Sequence, residues 1–140
     1  MSKSINRGFT LIELMLVIVV LSVIAAIALP SFLGQIQKAR RSDGKQALYD
    51  VAAKLEQYYQ DNKGYPTTAD MTNLGYAGAT FTSLEGYYTI GFNGVPTATT
   101  YIIEAVPIAP QDDDTDCATF RMNHLGVKSV TGSLSADRCW

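Results

Sequence analysis

The sequence has few of the side chains on which most catalytic and metal sites depend. It contains one histidine, His124, together with two cysteines and one tryptophan, in 140 residues. His124 has no cysteine or carboxylate at ligand spacing and falls in a predicted turn, which indicates a solvated residue and no metal site. No glycine-rich phosphate loop follows a predicted strand, and no nucleophile elbow is present. The sequence therefore predicts no enzyme, no metal and no cofactor.

Charged side chains are also scarce, and neither sign dominates. Asp, Glu, Lys and Arg make up 17% of the residues, and the formal net charge is −2. This balance gives no overall attraction to nucleic acid, so nucleic acid is not indicated as a partner. A chain of 140 residues has room for one domain plus an extended element, and is too short for two ordinary domains.

What the sequence does contain is one long apolar run near its amino end. From Phe9 to Leu29, only Thr10, Glu13 and Ser22 are not apolar. A helix of this length spans about 30 Å, the thickness of the hydrocarbon core of a bilayer. Glu13 opposes membrane insertion by up to about 2.5–3.5 kcal/mol at the helix centre, and by less near the end. A carboxylate in such a run indicates a functional residue.

The residues at the start of this run resemble the processing site of type IV prepilins. The resemblance rests on Gly8-Phe9-Thr10-Leu11-Ile12-Glu13 and continues through Ala25-Ala26-Ile27-Ala28-Leu29-Pro30. It implies cleavage between Gly8 and Phe9 by a prepilin peptidase, followed by N-methylation of the new amino terminus on Phe9. It also implies that Glu13 guides subunits into a helical filament.

Two other interpretations of the run remain open. Ala26-Ile27-Ala28 has the form of a signal-peptidase site, and a secreted soluble binding protein would then begin at Leu29. A plain single-pass anchor would explain the run but not Glu13 or the Gly8-Phe9 junction. Lys3 and Arg7 precede the run and indicate a cytoplasmic amino terminus.

The pattern beyond the run predicts that the helix continues into a globular part. Pro30 should kink or interrupt it, because proline removes a helical hydrogen bond. A stripe then follows at helical spacing, consisting of Leu48, Val51, Ala52, Leu55 and Tyr58. We predict one helix from about Phe9 to Lys63. The expected parts are a leader at 1–8, an apolar half at 9–35 and a globular domain at 36–140.

Alternating residues after a loop at 64–86 predict four strands. They cover 87–92, 101–106, 118–122 and about 127–130. The residues expected on the inner face are Tyr88, Ile90, Phe92, Tyr101, Ile103, Ala105, Ala118, Phe120 and Met122. The predicted fold is α+β, with the long amino-terminal helix packed on a small antiparallel sheet.

The carboxyl-terminal part extends the resemblance. The segment from Cys117 through Phe120 and Asn123 to Cys139 is similar to the disulfide-bounded region of PilE-type pilins. An even pair of cysteines in a domain outside the cytoplasmic membrane indicates a disulfide between Cys117 and Cys139.

Two charged clusters have alternative interpretations. Asp112, Asp114 and Asp116 resemble the opening of a calcium loop, but the required Gly and later Glu are missing, which favours a solvated surface loop. A second cluster, consisting of Lys38, Arg40, Arg41 and Lys45, follows the apolar run. These bases are expected on a solvated helix face, at the membrane interface, or against acidic residues of a neighbouring subunit.

The sequence thus favours a structural subunit of a type IV pilus, leaning towards a minor subunit. The expected partners are itself and related pilins, the prepilin peptidase and methyltransferase, the pilus assembly machinery and, before assembly, the cytoplasmic membrane. The globular domain would be periplasmic before assembly and at the cell surface afterwards. A pseudopilin of a type II secretion system is the nearest alternative.

Overall fold

The structure is a computed structural model that describes residues 9–140, apart from the side chains of residues 29–31. The predicted leader, with Lys3, Arg7 and Gly8, lies outside the described residues. Helix α1 runs from Leu11 to Asn62 and includes Pro30. The chain forms two compact units, with the division between Ile36 and Gln37, and each unit is described by itself below.

The first unit consists of the amino-terminal part of α1. Every described side chain from Phe9 to Ala28 is exposed. Among the described residues, α1 is the one helix that is long and apolar enough to cross a membrane. The hydroxyl of Ser22 donates a hydrogen bond to the carbonyl of Ile18 at 2.7 Å, which satisfies this polar group within the helix itself.

The second unit is an antiparallel sheet packed against the remainder of α1. Its strands are β1 (Phe81–Thr82), β2 (Tyr88–Phe92), β3 (Ile102–Pro107), β4 (Phe120–Asn123) and β5 (Lys128–Val130), in spatial order β1-β2-β3-β4-β5. A 3-10 helix covers Met71–Leu74, and a short helix α2 covers Ala136–Cys139. The predicted α+β class is confirmed.

The sheet registers align the alternating apolar residues on one face. Ile90 pairs with Ala105, and Ala105 pairs with Phe120. All three are fully buried, together with Leu48, Val51 and Leu55 from the predicted helical stripe. Each full burial of a large apolar side chain contributes about 1.5–3 kcal/mol. This contact between the stripe and the sheet forms the core of the second unit.

Two strand predictions are wrong in detail. The expected loop at 64–86 contains the 3-10 helix and β1, so the sheet has five strands where four were predicted. Ala118 does not begin a strand, because its backbone is left-handed at φ 50° and its N–H donates to the carbonyl of Asp114 at 2.9 Å. Strand β4 therefore starts two residues later, at Phe120.

Gly44 allows the helix to approach the sheet closely. A Cβ at this position would lie 2.8 Å from carbon atoms of the Tyr88 ring, closer than packed atoms tolerate. Tyr88 is fully buried, and burial raises the pKa of its hydroxyl to about 12. A glycine that weakens the isolated helix by about 1 kcal/mol therefore makes room for the largest side chain of the core.

The carboxyl end is fastened covalently and by aromatic packing. Cys117 and Cys139 form a disulfide, as predicted. The Trp140 ring packs edge-on against Phe120 at 5.4 Å and Tyr49 at 5.9 Å between ring centroids, and its indole N–H donates to the carbonyl of Ser129. The disulfide closes a loop with a sequence separation of 22, which on chain-entropy grounds is worth about 3 kcal/mol.

Candidate functional site

The amino end of α1 is organised by Thr10 and Glu13. The Thr10 hydroxyl accepts a hydrogen bond from the backbone N–H of Glu13 at 3.3 Å, and the Thr10 carbonyl accepts one from Leu14. A Thr followed three residues later by Glu is the signature of a capping box, which satisfies free N–H groups at a helix start. The capping role of Thr10 was not predicted from the sequence, although the three-residue spacing between Thr10 and Glu13 could have indicated it. Glu13 also lies where the helix dipole favours a negative charge.

The apolar side chains of the chain from Phe9 to Ala28 form an exposed surface. Exposed fractions reach 81% for Phe9, 75% for Ile12 and 74% for Ile27. Soluble monomers rarely expose continuous apolar patches larger than a few hundred Å². This part of the helix is therefore built for contact with lipid or with other apolar helices.

Arg41 pairs within its own chain, which corrects for this one residue the alternatives considered for the basic cluster. Its guanidinium donates to both carboxylate oxygens of Asp114, at 2.6 and 2.7 Å. Both side chains are buried. The hydrogen bond to Asp114 raises the pKa of Arg41, so the pair stays ionised inside the protein.

Asp114 likewise corrects the expectation that residues 112–116 form a solvated loop. Asp112, Asp113 and Asp116 are exposed, but Asp114 is only 2% exposed. Besides the Arg41 contacts, it accepts hydrogen bonds from the Gln111 amide at 3.0 Å and from the backbone N–H of Cys117 at 3.4 Å. Since its oxygens already have donors, Asp114 is not free to coordinate calcium with its neighbours.

Two further polar residues of α1 hold loops of the second unit. Asp43 accepts hydrogen bonds from the Ser83 hydroxyl and from the backbone N–H groups of Glu85 and Tyr87. Lys45 donates to the carbonyl of Cys139 at 3.1 Å, and burial, with the nearby charge of Arg41, lowers its pKa. Positions 41, 43 and 45 thus each fasten a different loop to the helix.

His124 lies in the turn between β4 and β5, where it was predicted. Its ring contacts the Tyr101 ring at 6.3 Å between centroids. Within residues 9–140, as far as their side chains are described, no group of three or more His, Cys, Asp or Glu side chains is placed to hold a metal ion. The polar contacts of Arg41, Asp43 and Lys45 hold loops of the second unit against α1.

Comparison with known families agrees with these features. A family described as "Type IV minor pilin ComP, DNA uptake sequence receptor" matches residues 30–121, and one described as "Prokaryotic N-terminal methylation motif" matches residues 3–29. The chain belongs to the type IV pilin family. Pilins are structural subunits, and this one is not an enzyme.

Individual relatives of this pilin come from two groups. The type IV major fimbrial protein FimA of Dichelobacter nodosus is 29% identical over 99% of this chain and 88% of its own length. The type II secretion system core protein G of Dickeya chrysanthemi is 40% identical over 63 residues, which are 45% of this chain. The pilin thus spans under half of that relative, 41% of its length.

A solved type IV pilin from Shewanella oneidensis has the same fold. The alignment has a TM-score of 0.51 and 27% identity, and covers 74% of this chain and 97% of the other. The likeness extends over most of the chain, in contrast to the short match with core protein G.

Removing one partner of the buried Arg41–Asp114 ion pair tests whether this pair holds the loop at Asp114 against α1. Asp114→Ala should destabilise the second unit by about 3–5 kcal/mol, because it leaves the Arg41 guanidinium buried without a carboxylate. Urea unfolding of the detergent-solubilised pilin, followed by Trp140 fluorescence, measures this loss. Asp113→Ala changes an exposed neighbour and should shift stability by no more than about 0.5 kcal/mol. Equal effects of the two substitutions would show that the ion pair does not fasten the loop.

Proposed function

We propose that this pilin is a subunit of a type IV pilus, made as a precursor with a leader at 1–8, an apolar half at 9–35 and a globular domain at 36–140. A prepilin peptidase cleaves it between Gly8 and Phe9, and the new terminus on Phe9 is N-methylated. The observation that carries the proposal is the exposed apolar surface that begins at Phe9, the residue that follows the expected cleavage site.

Before assembly, the apolar half of α1 holds the subunit in the cytoplasmic membrane with the globular domain in the periplasm. The pilus assembly machinery then moves it into the filament, where the same surface packs against the helices of other pilins. An unpaired charge is expensive in that apolar interior. Glu13 therefore pairs with the positively charged terminus on Phe9 of a neighbouring subunit, and methylation keeps that charge in place.

A type II secretion pseudopilin is the main alternative, and two observations favour the pilus. The similarity to core protein G covers 45% of this chain, whereas that to FimA covers 99% of it. The Cys117–Cys139 disulfide supports a pilin, and a calcium site would support a pseudopilin, but Asp114 is held by Arg41.

The proposal does not depend on whether the subunit is a major or a minor one. The matching family is named for a minor pilin and DNA uptake receptor, and FimA for a major one, so the proposal covers both major and minor subunits.

Removal of Lys3 and Arg7 leaves 9 basic and 13 acidic side chains. This acidic balance argues against overall attraction to DNA and leaves DNA outside the proposal.

The first residue of the mature chain and its methylation test the proposed processing. Intact-mass and amino-terminal peptide measurements on sheared surface filaments should find a chain that lacks residues 1–8 and carries one added methyl group on Phe9. A chain that begins at Leu29 would show a secreted soluble protein. Absence of the chain from filaments would remove the pilus assignment.

Replacement of Glu13 separates its charge from its place in the capping box. Glu13→Gln keeps a residue that suits the box but removes the charge, whereas Glu13→Val removes both. If Glu13 pairs with a neighbouring terminus, both variants should insert into the membrane at least as well as the wild type and enter filaments poorly. Quantitative blotting of membrane and sheared fractions measures both steps. Normal assembly of Glu13→Gln with loss in Glu13→Val would assign Glu13 to capping alone.

A further inference from the structure

The two ends of the sheet carry different surfaces. Each strand pairs antiparallel with the next strand of the chain, so successive connections lie at alternate ends of the sheet. The turn between β1 and β2 lies at one end, which we call the first end. The β2–β3 loop and the β4–β5 turn lie together at the second end. Strand β2 has five residues, and its extended backbone separates the two ends by about 17 Å.

Leu84 projects from the first end into solvent. It is 96% exposed, the highest value among the large apolar side chains of the described residues. The N–H of Gly86 donates to the carbonyl of Ser83 at 3.0 Å, which closes a turn with Leu84 and Glu85 at its two central positions. Asp43 accepts hydrogen bonds from the Ser83 hydroxyl and the Glu85 N–H, on either side of Leu84. An apolar side chain held in solvent by a fixed turn is suited to contact with a partner.

The second end contains a pocket of a size that suits such a side chain. Its volume is about 220 Å³, and it lies between the β2–β3 loop and the β4–β5 turn. Val95 and Ile102 form apolar walls and are 73% and 43% exposed. The N–H of His124 donates to the carbonyl of Tyr101 at 3.1 Å, which ties the two connections together. Small-molecule pockets usually measure about 300–1,000 Å³, so this smaller pocket suits one inserted side chain.

The polar groups at the two ends are complementary as well. Asn123 and His124 line the pocket. The Asn123 oxygen accepts hydrogen bonds from two backbone N–H groups of the β4–β5 turn, which leaves the Asn123 amide as a donor. Within the described residues, neither this amide nor the His124 ring donates a hydrogen bond. At the first end, the exposed Glu85 carboxylate makes no ion pair in the same part of the chain. Unused donors therefore line the pocket, and an unused acceptor lies beside Leu84.

We propose that Leu84 of one subunit inserts into the pocket at the second end of another copy. Leu84 contacts the apolar walls there, and the Glu85 carboxylate accepts hydrogen bonds from His124 and the Asn123 amide. The two surfaces lie at opposite ends of one sheet, so a copy cannot fill its own pocket. Because the surfaces differ, the contact is head-to-tail and can repeat without closing, as a helical filament requires. The inference rests on the proposed function and requires adjacent copies of this chain.

Photo-cross-linking in filaments tests the contact. The chain is expressed with photo-leucine, a leucine analogue whose diazirine joins to touching groups under ultraviolet light, and sheared filaments are illuminated. The expected product has the mass of two chains and links residue 84 to a peptide from 93–102 or 123–124, detected by mass spectrometry. Links from the buried Leu48 to the sheet within one chain show that the photochemistry has worked.

The outcomes separate this inference from the proposed function. Filaments that contain the chain and give the Leu48 links, but no product between residue 84 and the pocket, would overturn the inference and leave the proposed function intact. Links from residue 84 to a different pilin alone would do the same. Absence of the chain from filaments would overturn both.

Exchange of the polar groups provides the matched functional measurement. Glu85→Lys places an ammonium against the donors of the pocket, and His124→Glu places a carboxylate against Glu85. Each should lower the amount of chain in sheared filaments about tenfold, because two donors or two acids then face each other across the contact. The double variant should recover most of the loss, because an ammonium and a carboxylate then face each other.

Asp137→Lys is the control for these variants. It reverses an exposed acid of α2, which packs beside β5 and belongs to neither surface, and it should assemble normally. Urea unfolding midpoints equal to wild type show that the single variants still fold. Unchanged assembly of folded single variants, or no recovery in the double variant, would contradict the contact.

Discussion

One helix has to satisfy two different surroundings, and the rest of the structure depends on that constraint. Around Val17 and Ile18 the side chains of α1 are apolar on every side and exposed, which suits a membrane or a bundle of like helices. From Leu48 onwards the apolar residues narrow to a stripe, and Leu48, Val51 and Leu55 are fully buried against the sheet. The change from an all-round to a one-sided pattern assigns each part of the helix its own partner.

Polar contacts close to the start of the second unit make that assignment definite. Arg41, Asp43 and Lys45 bind Asp114, residues 83–87 and the carbonyl of Cys139 respectively. A buried ion pair adds little net stability compared with apolar packing, but it is strongly unfavourable when one partner is lost. We infer that these contacts set where the sheet sits along the helix, and that the apolar stripe supplies most of the stabilisation.

Much of the architecture was predictable, because it follows from periodicity. The helix ends were placed within two residues, and the inward positions of β2 and β3 at Tyr88, Ile90 and Ile103 follow from alternation. Strand β1 has two residues and is too short to show a period. Asp114 could not be separated from its acidic neighbours, since the residue that decides its burial, Arg41, lies 73 positions away. Contacts at that separation leave no local pattern. The Thr10 cap did leave one, in its spacing from Glu13.

The division of work between the two parts of α1 is tested most directly by removing the first. A chain that begins at Ile36 keeps the stripe, the polar contacts and the disulfide but lacks the apolar surface from Phe9 to Ala28. Exported to an oxidising compartment and purified without detergent, it should sediment as a soluble monomer and form no filaments. Its unfolding in urea, followed by Trp140 fluorescence, should be a single cooperative transition. An insoluble product with the disulfide formed, or one that still polymerises, would contradict the account.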